Sequence, residues 1–544
     1  MPEYLAPGVY VEEVNTGPRP IEGVSTSTAG FVGETERGST KPTLVTSWAD
    51  FVRNFGGYLD RPPMNAVNFR VPYAVRGFFD NGGQRLYIAR VVGTNTQVAR
   101  ATFPGVGGNT LVEASGPGVS GTRIRIRIDP ASIVDSLRAA PPGAPPPVAA
   151  SWFRIRVLYY REFPPAFVDP TDQTQLSNPA RRDPDAFEDF DNLSPDPTAA
   201  NFARTVVNGS SKLISISACP GRPNDLRPFP PAAQFVQAPA APDPAVDLVA
   251  ITGTAPDPEN RTGIDGLMTI RDISLMAVPD GVGNNNTWAD ALVDACERSK
   301  DRFAVLDDPT DSPNLQEVSR HRDSTYGALY YPRLRVVAPH TPLGHTIVPS
   351  CGHMTGIYAR SDIERGVHKA PANEVVRGIL SRDLNGGFRP LSRTLSKPEH
   401  DILNPKGVNV IRDFRSDGRD IRIWGARTMS SDSMWKYVNV RRLFIFIEQS
   451  IDRGTQWAVF EPNSELTWIA VRTSITNFLR TVWRNGALMG TTQDEAFFVK
   501  CDRTTMTQDD FDNGRLICLI GVAPVKPAEF VIFRISQKTL EAEQ

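Results

Sequence analysis

The sequence predicts a multidomain α/β (α+β) fold: mixed sheets with helices, a β-rich insertion between two α/β halves, and a strand-like arm at each end. Three observations point there. Short apolar runs closed by glycine turns alternate with amphipathic helical segments over residues 21–93 and again over 246–400. Between these stretches the texture changes to strand-like runs broken by proline and glycine. At 544 residues the chain also exceeds what one hydrophobic core organises, so several domains are expected.

The first element is "YLAPGVYVEEV", residues 4–14, where Pro7 and Gly8 precede a β-branched run. Val9, Val11 and Val14, with Tyr10 and Glu12 between them, make it a strand. Such a segment either docks on its own domain or offers backbone N–H and C=O groups to another chain. Residues 1–20 are therefore expected to form an arm. In 21–93, "STAGFVGET" and "RLYIARVVG" read as strands, and "SWADFVRNFGG" and "AVRGFFDNGG" as helices stopped by glycine.

In 94–245, "TRIRIRID" alternates strictly, with Arg123, Arg125 and Arg127 on one face and Ile124, Ile126 and Ile128 on the other. A solvated arginine face is the expectation, and phosphate contact the alternative. "RAAPPGAPPPVAAS", residues 138–151, holds neither ladder nor helix and reads as a loop. "SWFRIRVLYY" and "SKLISISA" add strands.

From 246 to 400 the α/β pattern returns: strand "DISLMAVPD", helix "TWADALVDACERSKDR", strand "RFAVLDDP", then "YGALYYPRLRVV". A further domain is expected over 401–523, with strands "GVNVIRD" and "DIRIWGART", two amphipathic helices, and strands "AFFVKCD" and "GRLICLIGVAPV". The apolar positions are Val440, Leu443, Phe444, Ile447 and Ile451 in the first helix. In the second they are Leu466, Ile469, Phe478, Leu479, Val482 and Trp483. Residues 524–544 read as a linker, Pro524, Lys526 and Pro527, followed by a second arm. That arm, Phe530, Val531, Ile532, Phe533, Arg534 and Ile535, is apolar on both faces and expects cover on both.

Several function classes are disfavoured. A net charge of −2 supplies no general field for nucleic acid or an anionic membrane. Five scattered cysteines without a CxxC spacing argue against a disulfide framework or zinc ribbon and suit a reducing compartment. The first residues lack a basic, then apolar, leader, and no window approaches the apolar length of a membrane span, so assembly in cytoplasm is expected. Gly281 and Gly283 follow a buried strand as in a dinucleotide loop, but Asn286 stands where a third small residue is required. A plain βα turn is the better reading. "CGH" brings Cys351 and His353 to one face of an expected strand, too few ligands for a metal. No catalytic, metal or cofactor site is expected.

Taken together, "YLAPGVYVEEV", "GFFDNGGQRLYIARVV", "DRFAVLDDP", "GALYYPRLRV", "VPSCGHMTGIYARSDIERGVHKAPAN", "GVNVIRDF" and "IRIWGART" resemble contractile tail sheath proteins. The likeness covers residues 1–93 and about 246–544, and is looser over 94–245, through "FDNLSPDP" and "VVNGSSKLISI". The resemblance implies a structural subunit of a phage tail or contractile injection particle, without cofactor. Its partners would be copies of itself in six-fold rings, an inner tube, a baseplate and a tail terminator. It also implies that both arms are exchanged between subunits, that 94–245 faces outward, and that 401–523 faces the tube through residues such as Arg472, Arg480 and Arg484. A nucleotide-binding α/β enzyme and a different tail or baseplate component are the competing readings.

Overall fold

The structure, a computed structural model, describes residues 20–58, 70–133, 151–225, 235, 243–253, 260–281, 286–380 and 389–532. The expected N-terminal arm residues Val9, Tyr10, Val11, Glu12 and Val14 lie outside these, as do Phe533, Arg534 and Ile535 of the C-terminal arm.

In chain order the elements begin with β1 (Ala29–Gly33), β2 (Thr43–Val45), α1 (Trp48–Phe55), α2 (Val71–Asp80) and β3 (Leu86–Arg90). Next come β4 (Arg100–Phe103), β5 (Thr110–Ala114), β6 (Ile124–Pro130), β7 (Phe153–Tyr159), β8 (Ala186–Leu193), α3 (Ala203–Ser210) and β9 (Ile214–Ala218). The chain continues with α4 (Leu248–Thr252), α5 (Gly263–Met268), β10 (Leu275–Ala277), α6 (Thr287–Ser299), β11 (Phe303–Asp307) and β12 (Gly327–Tyr331). After these are β13 (Leu334–Val337), β14 (His345–Val348), α7 (Cys351–Arg365), α8 (Lys397–Leu403), β15 (Val408–Asp413) and β16 (Ile421–Ile423). Last are α9 (Val438–Gly454), α10 (Glu465–Arg484), α11 (Gln493–Ala496), β17 (Phe497–Lys500), α12 (Gln508–Asp512) and β18 (Leu519–Val522).

The chain divides into two compact units. The larger spans 25–366 and 371–438, and the smaller takes residues up to 24, 367–370 and 439 onward. The mixed α/β class expected from the sequence is what the chain forms.

The larger unit is organised on an eight-stranded sheet of order β16-β15-β12-β11-β10-β1-β3-β2. Its six central strands run parallel, and β16 and β2 close the edges antiparallel. β1, β10 and β12 are buried at every residue, which is why their sequences are continuously apolar instead of alternating. Strands β15 and β16 belong to this sheet, so the change of unit falls at 438/439 and not at 401. A buried β12 edge needs a partner, and Val408 and Val410 supply it while filling the same core.

Helices α2 and α7 cross closely. A Cβ on Gly352 would lie 2.4 Å from Ala74 Cα, and one on Gly77 would lie 2.3 Å from His353 Nδ1. "CGH" is therefore the first turn of a helix and not a strand. Asp307 starts that helix by accepting from the Ser350 N–H (2.6 Å) and the Cys351 N–H (3.0 Å). On a helix, positions two apart point about 200° apart, so Cys351 and His353 do not share a face.

Residues 98–235 carry an apolar core of their own, between the sheets β4-β5-β9 and β6-β7-β8. The arginine face of β6 is covered rather than solvated. Arg127 pairs with Asp129 (2.9 Å) and with Asp169, and Arg125 stacks 4.2 Å from the Phe163 ring. Strand β8, "AFEDFDNL", escapes an apolar pattern search because its acids serve the neighbouring strand, Asp189 accepting from Arg154 Nε at 2.7 Å. A buried junction ties this region to the main sheet. Glu36 accepts from Tyr159 Oη (2.8 Å) and Arg161 Nε (2.9 Å), and Arg90 Nη1 donates to the Pro117 carbonyl (2.8 Å). Burial alone would raise the Glu36 pKa, but the Arg161 bonds outweigh it and hold the carboxyl below its usual value.

Candidate assembly interface

The smaller unit is a helical hairpin beneath a two-stranded ladder. Leu443 and Ile447 of α9 pack with Val471, Ile475, Phe478, Leu479 and Val482 of α10, and Phe497 of β17 closes the same core. The expected α10 face is correct from Phe478 onward but wrong at its start. Leu466 is 80% exposed and Ile469 50%, while Trp468 and Val471 turn inward. Trp468 decides the phase by burying the larger ring and donating its Nε1–H to Asn463 Oδ1 at 2.7 Å.

β17 and β18 pair antiparallel, Phe497 opposite Val522 and Lys500 opposite Leu519. Among the described residues no further strand joins either edge. Phe498, Leu519 and Ile520 leave apolar surface on this small sheet. Gly521 lies under Phe498, whose ring would be 2.2 Å from a Cβ there and would have to move aside. Two strands alone are marginal, and this pair relies on the helices on one side.

Both terminal segments are rooted in this unit. Val24 N–H donates to Ser450 Oγ (3.1 Å), and Ile21 packs so tightly on α9 that a Cβ at Gly454 would come within 2.7 Å of it. At the other end Ala523 N–H donates to the Ala496 carbonyl (2.9 Å) and Val525 N–H to the Ala487 carbonyl (3.2 Å). Pro524 bridges Leu488, and Asn439 Nδ2 donates to the Val525 carbonyl at 3.1 Å. The expected linker is thus shorter than the prolines suggested. Pro524 has no N–H to lose, its neighbours' donors are satisfied at home, and the segment first becomes exposed at Lys526, with Pro527 half-buried. Phe530, Val531 and Ile532 follow, 69%, 69% and 78% exposed.

The three arginines of α10 lie on one i±4n ridge but differ in their surroundings. Arg484 is exposed, and Arg480, one turn before it, is held by Gln493 Oε1 (3.1 Å) and Asn477 Oδ1 (3.0 Å). Arg472 lies two turns earlier, beside a groove of about 300 Å³ shared with Trp468, Cys501 and Asp502. Sequence reasoning missed Val459 and Phe460 at the tip of the hairpin. Phe460 is fully exposed at φ +66°, a conformation costly for a bulky side chain, and no pattern short of the turn geometry announces it.

In the larger unit, β1 leads to β3 on one side and the chain returns at β10 on the other, which makes the β1/β10 boundary the switch point of the parallel sheet. Two carboxylates stand there. Asp280 accepts from the N–H groups of Glu34 (2.9 Å) and Arg70 (2.6 Å). Burial, then the charge of Asp280, pushes Glu34 up to about 8, and burial pushes Asp280 up to about 6. This is an unfavourable place for a phosphate. Among the described residues no group of three His, Cys, Asp or Glu is placed to hold a metal, and no helix is long and apolar enough to cross a membrane.

Two family descriptions meet end to end on this chain: the phage tail sheath protein central domain over residues 262–429 and the phage tail sheath C-terminal domain over 430–538. The chain belongs to the phage tail sheath family. It is 25% identical over 306 residues to a putative prophage major tail sheath protein of Pseudomonas aeruginosa (strain UCBPP-PA14), covering 54% of this chain and 74% of that one. It is 29% identical over 178 residues to the tail sheath protein of Salmonella phage ViI, covering 32% of this chain and 26% of that one. Among solved structures, the helical sheath of the anti-feeding prophage in its contracted state superposes with a TM-score of 0.54 at 25% identity, over 98% of this chain and 100% of that one. The family boundary at 429/430 lies close to the change of unit at 438/439, at the entry to α9. This sheath chain is a structural component of phage-tail or contractile-injection type that assembles with itself.

Proposed function

We propose that the chain polymerises as stacked six-fold rings around an inner tube, between a baseplate and a tail terminator, and that the sheath contracts to drive the tube through a target envelope. One observation carries this reading: a two-stranded ladder whose edges take no further strand among the described residues sits in the unit that also roots both terminal segments. Strands from neighbouring copies complete such a ladder by backbone hydrogen bonds. The N-terminal residues 4–14 and the exposed run from Phe530 supply strands of the right character. Residues 94–245 face outward in this arrangement, and α10 turns toward the tube with Arg472, Arg480 and Arg484 as breakable charged contacts that salt weakens.

No nucleotide step is required. Contraction is the passage from one lattice packing to a more stable one, with the exchanged strands holding neighbours together while the units move. The carboxylates at the β1/β10 switch point count against the nucleotide-binding enzyme reading.

Negative-stain electron microscopy of the purified chain is the test. Long striated tubes are expected from the full chain, and a chain lacking residues 1–14 is expected to stay folded by circular dichroism without forming tubes. Single rings or monomers from the full chain favour the other tail-component reading, and tubes from the truncated chain remove the N-terminal arm from assembly.

A further inference from the structure

The β17–β18 register has a consequence at its open end. Lys500 pairs with Leu519, so the next position outward sets Cys501 opposite Cys518. Ala523 N–H donates to the Ala496 carbonyl, which makes that position a hydrogen-bonded pair, and alternation makes 501/518 a non-hydrogen-bonded one. Such pairs bring Cα atoms to about 4.5 Å, inside the range a disulfide spans. Each thiol bears on the other's ionisation, and both are free. Cys219, Cys296 and Cys351 are buried elsewhere in the chain.

We propose that Cys501 and Cys518 are a redox modification site, closing a cross-strand disulfide that staples the ladder and fixes the excursion 502–517 when the chain meets a peroxide. The pair is set in an apolar patch of Trp468, Met506, Phe511, Leu516 and Ile517. Cys501 lines the groove beside Arg472, Asp502 and Arg503, and this gives a small oxidant its approach. Burial raises both thiol pKa values, Cys518 to about 12, so thiolate is scarce and the reaction gradual; among the charges facing Cys501, Arg472 favours its thiolate and Asp502 opposes it.

The chemistry balances with hydrogen peroxide as oxidant. The Cys501 thiolate attacks one peroxide oxygen and breaks the O–O bond. The sulfur becomes a sulfenic acid, and the departing hydroxide takes up the Cys501 proton as water. The Cys518 thiolate then attacks that sulfur, the Sγ–Sγ bond forms, and the second hydroxide leaves as water with the Cys518 proton. Two thiols lose two electrons and one peroxide becomes two waters. A thiol reductant returns the pair to its starting state.

The disulfide itself is independent of the assembly reading; its effect on a sheath rests on that reading, because the stapled ladder is the one neighbouring strands would join. The test uses the full chain treated with hydrogen peroxide, then peptide mapping without reduction. A linked peptide containing Cys501 and Cys518, reversed by dithiothreitol, is expected, with tryptic cleavage at the exposed Arg503 and Arg515 slowed several-fold. In Cys518→Ser the sulfenic acid at Cys501 has no partner, and dimedone should trap it. Free thiols at both positions after prolonged treatment overturn the proposal, as does sulfonic acid at Cys501 without a linked peptide. Should the variant fail to fold, the wild-type map decides alone.

Discussion

Strands β10 and β12 are buried at every residue and paired on both sides, whereas among the described residues β17 and β18 have only each other and expose Phe498, Leu519 and Ile520. Both regions are apolar and strand-forming, so composition does not distinguish them. Completion does. The large sheet satisfies its backbone groups and its apolar faces from one chain, with antiparallel β2 and β16 as its edges. The small ladder has no third strand among the described residues, in the unit where both terminal segments are rooted. On the assembly proposed above, the stable core and the adhesive edge lie in different sheets, because an edge open to neighbours cannot also be sealed at home.

Substitutions divide along that line. The largest effect is expected at the junction inside the larger unit. Glu36→Ala leaves Arg161 and Tyr159 buried without their shared carboxylate, and should cost about 3–5 kcal/mol in urea unfolding of that unit. A loss below 1 kcal/mol would mean the junction is not closed to water. Within the sheet, Leu329→Ala empties space between β11 and β15 and should cost about 2–5 kcal/mol. Equal stability of this variant and wild type would place β12 outside the cooperative core.

A smaller effect is expected from Glu34, whose folded pKa is raised to about 8. A carboxyl raised in the folded state keeps its proton there longer than in the unfolded chain, so stability falls as pH rises from the unfolded value toward about 8. Glu34→Gln should flatten that fall between pH 6.5 and about 8, a window above the ordinary His value, where the depressed His353 (to about 4) no longer contributes a slope. An unchanged slope in melting temperature against pH would remove Glu34 from the acid pair. The smallest effect on stability is expected at Val531→Asp, within about 0.5 kcal/mol, because the residue is exposed. Tube formation should nevertheless be lost. If its denaturation midpoint moves as far as that of Leu329→Ala, the segment belongs to its own unit's core and the contrast between the two regions fails.

Much of this was legible in the sequence because local rules suffice for it. Continuous apolar runs such as "FAVLD" and "GALYY" admit little but a strand buried on both faces, and "TWADALVDACERS" carries a helical period with its own polar face. The α9 and α10 hairpin and the β17 and β18 strands were likewise readable from periodicity. What local rules misjudged were positions whose role depends on a distant partner. "CGH" reads as strand from its neighbours alone but starts α7, where the close approach of α2 needs glycine at 77 and 352. The arginine alternation of β6 gave the strand correctly but not its cover, since Asp169 and Phe163 arrive from more than thirty residues away.

The alternation of strands and helices, the apolar face of most elements, the β-rich character of the middle region and the likeness to tail sheath proteins are all written in neighbouring residues. That β15 and β16 complete the large sheet, that Pro524 and Val525 stay tied to Leu488 and Ala487, and that Cys501 comes opposite Cys518 emerge only when the chain has folded. The reason is physical: sheet pairing joins residues far apart in the chain through backbone groups that every residue carries, so which strand takes which edge is left unspecified by side-chain pattern and is set by which edges the finished core leaves open.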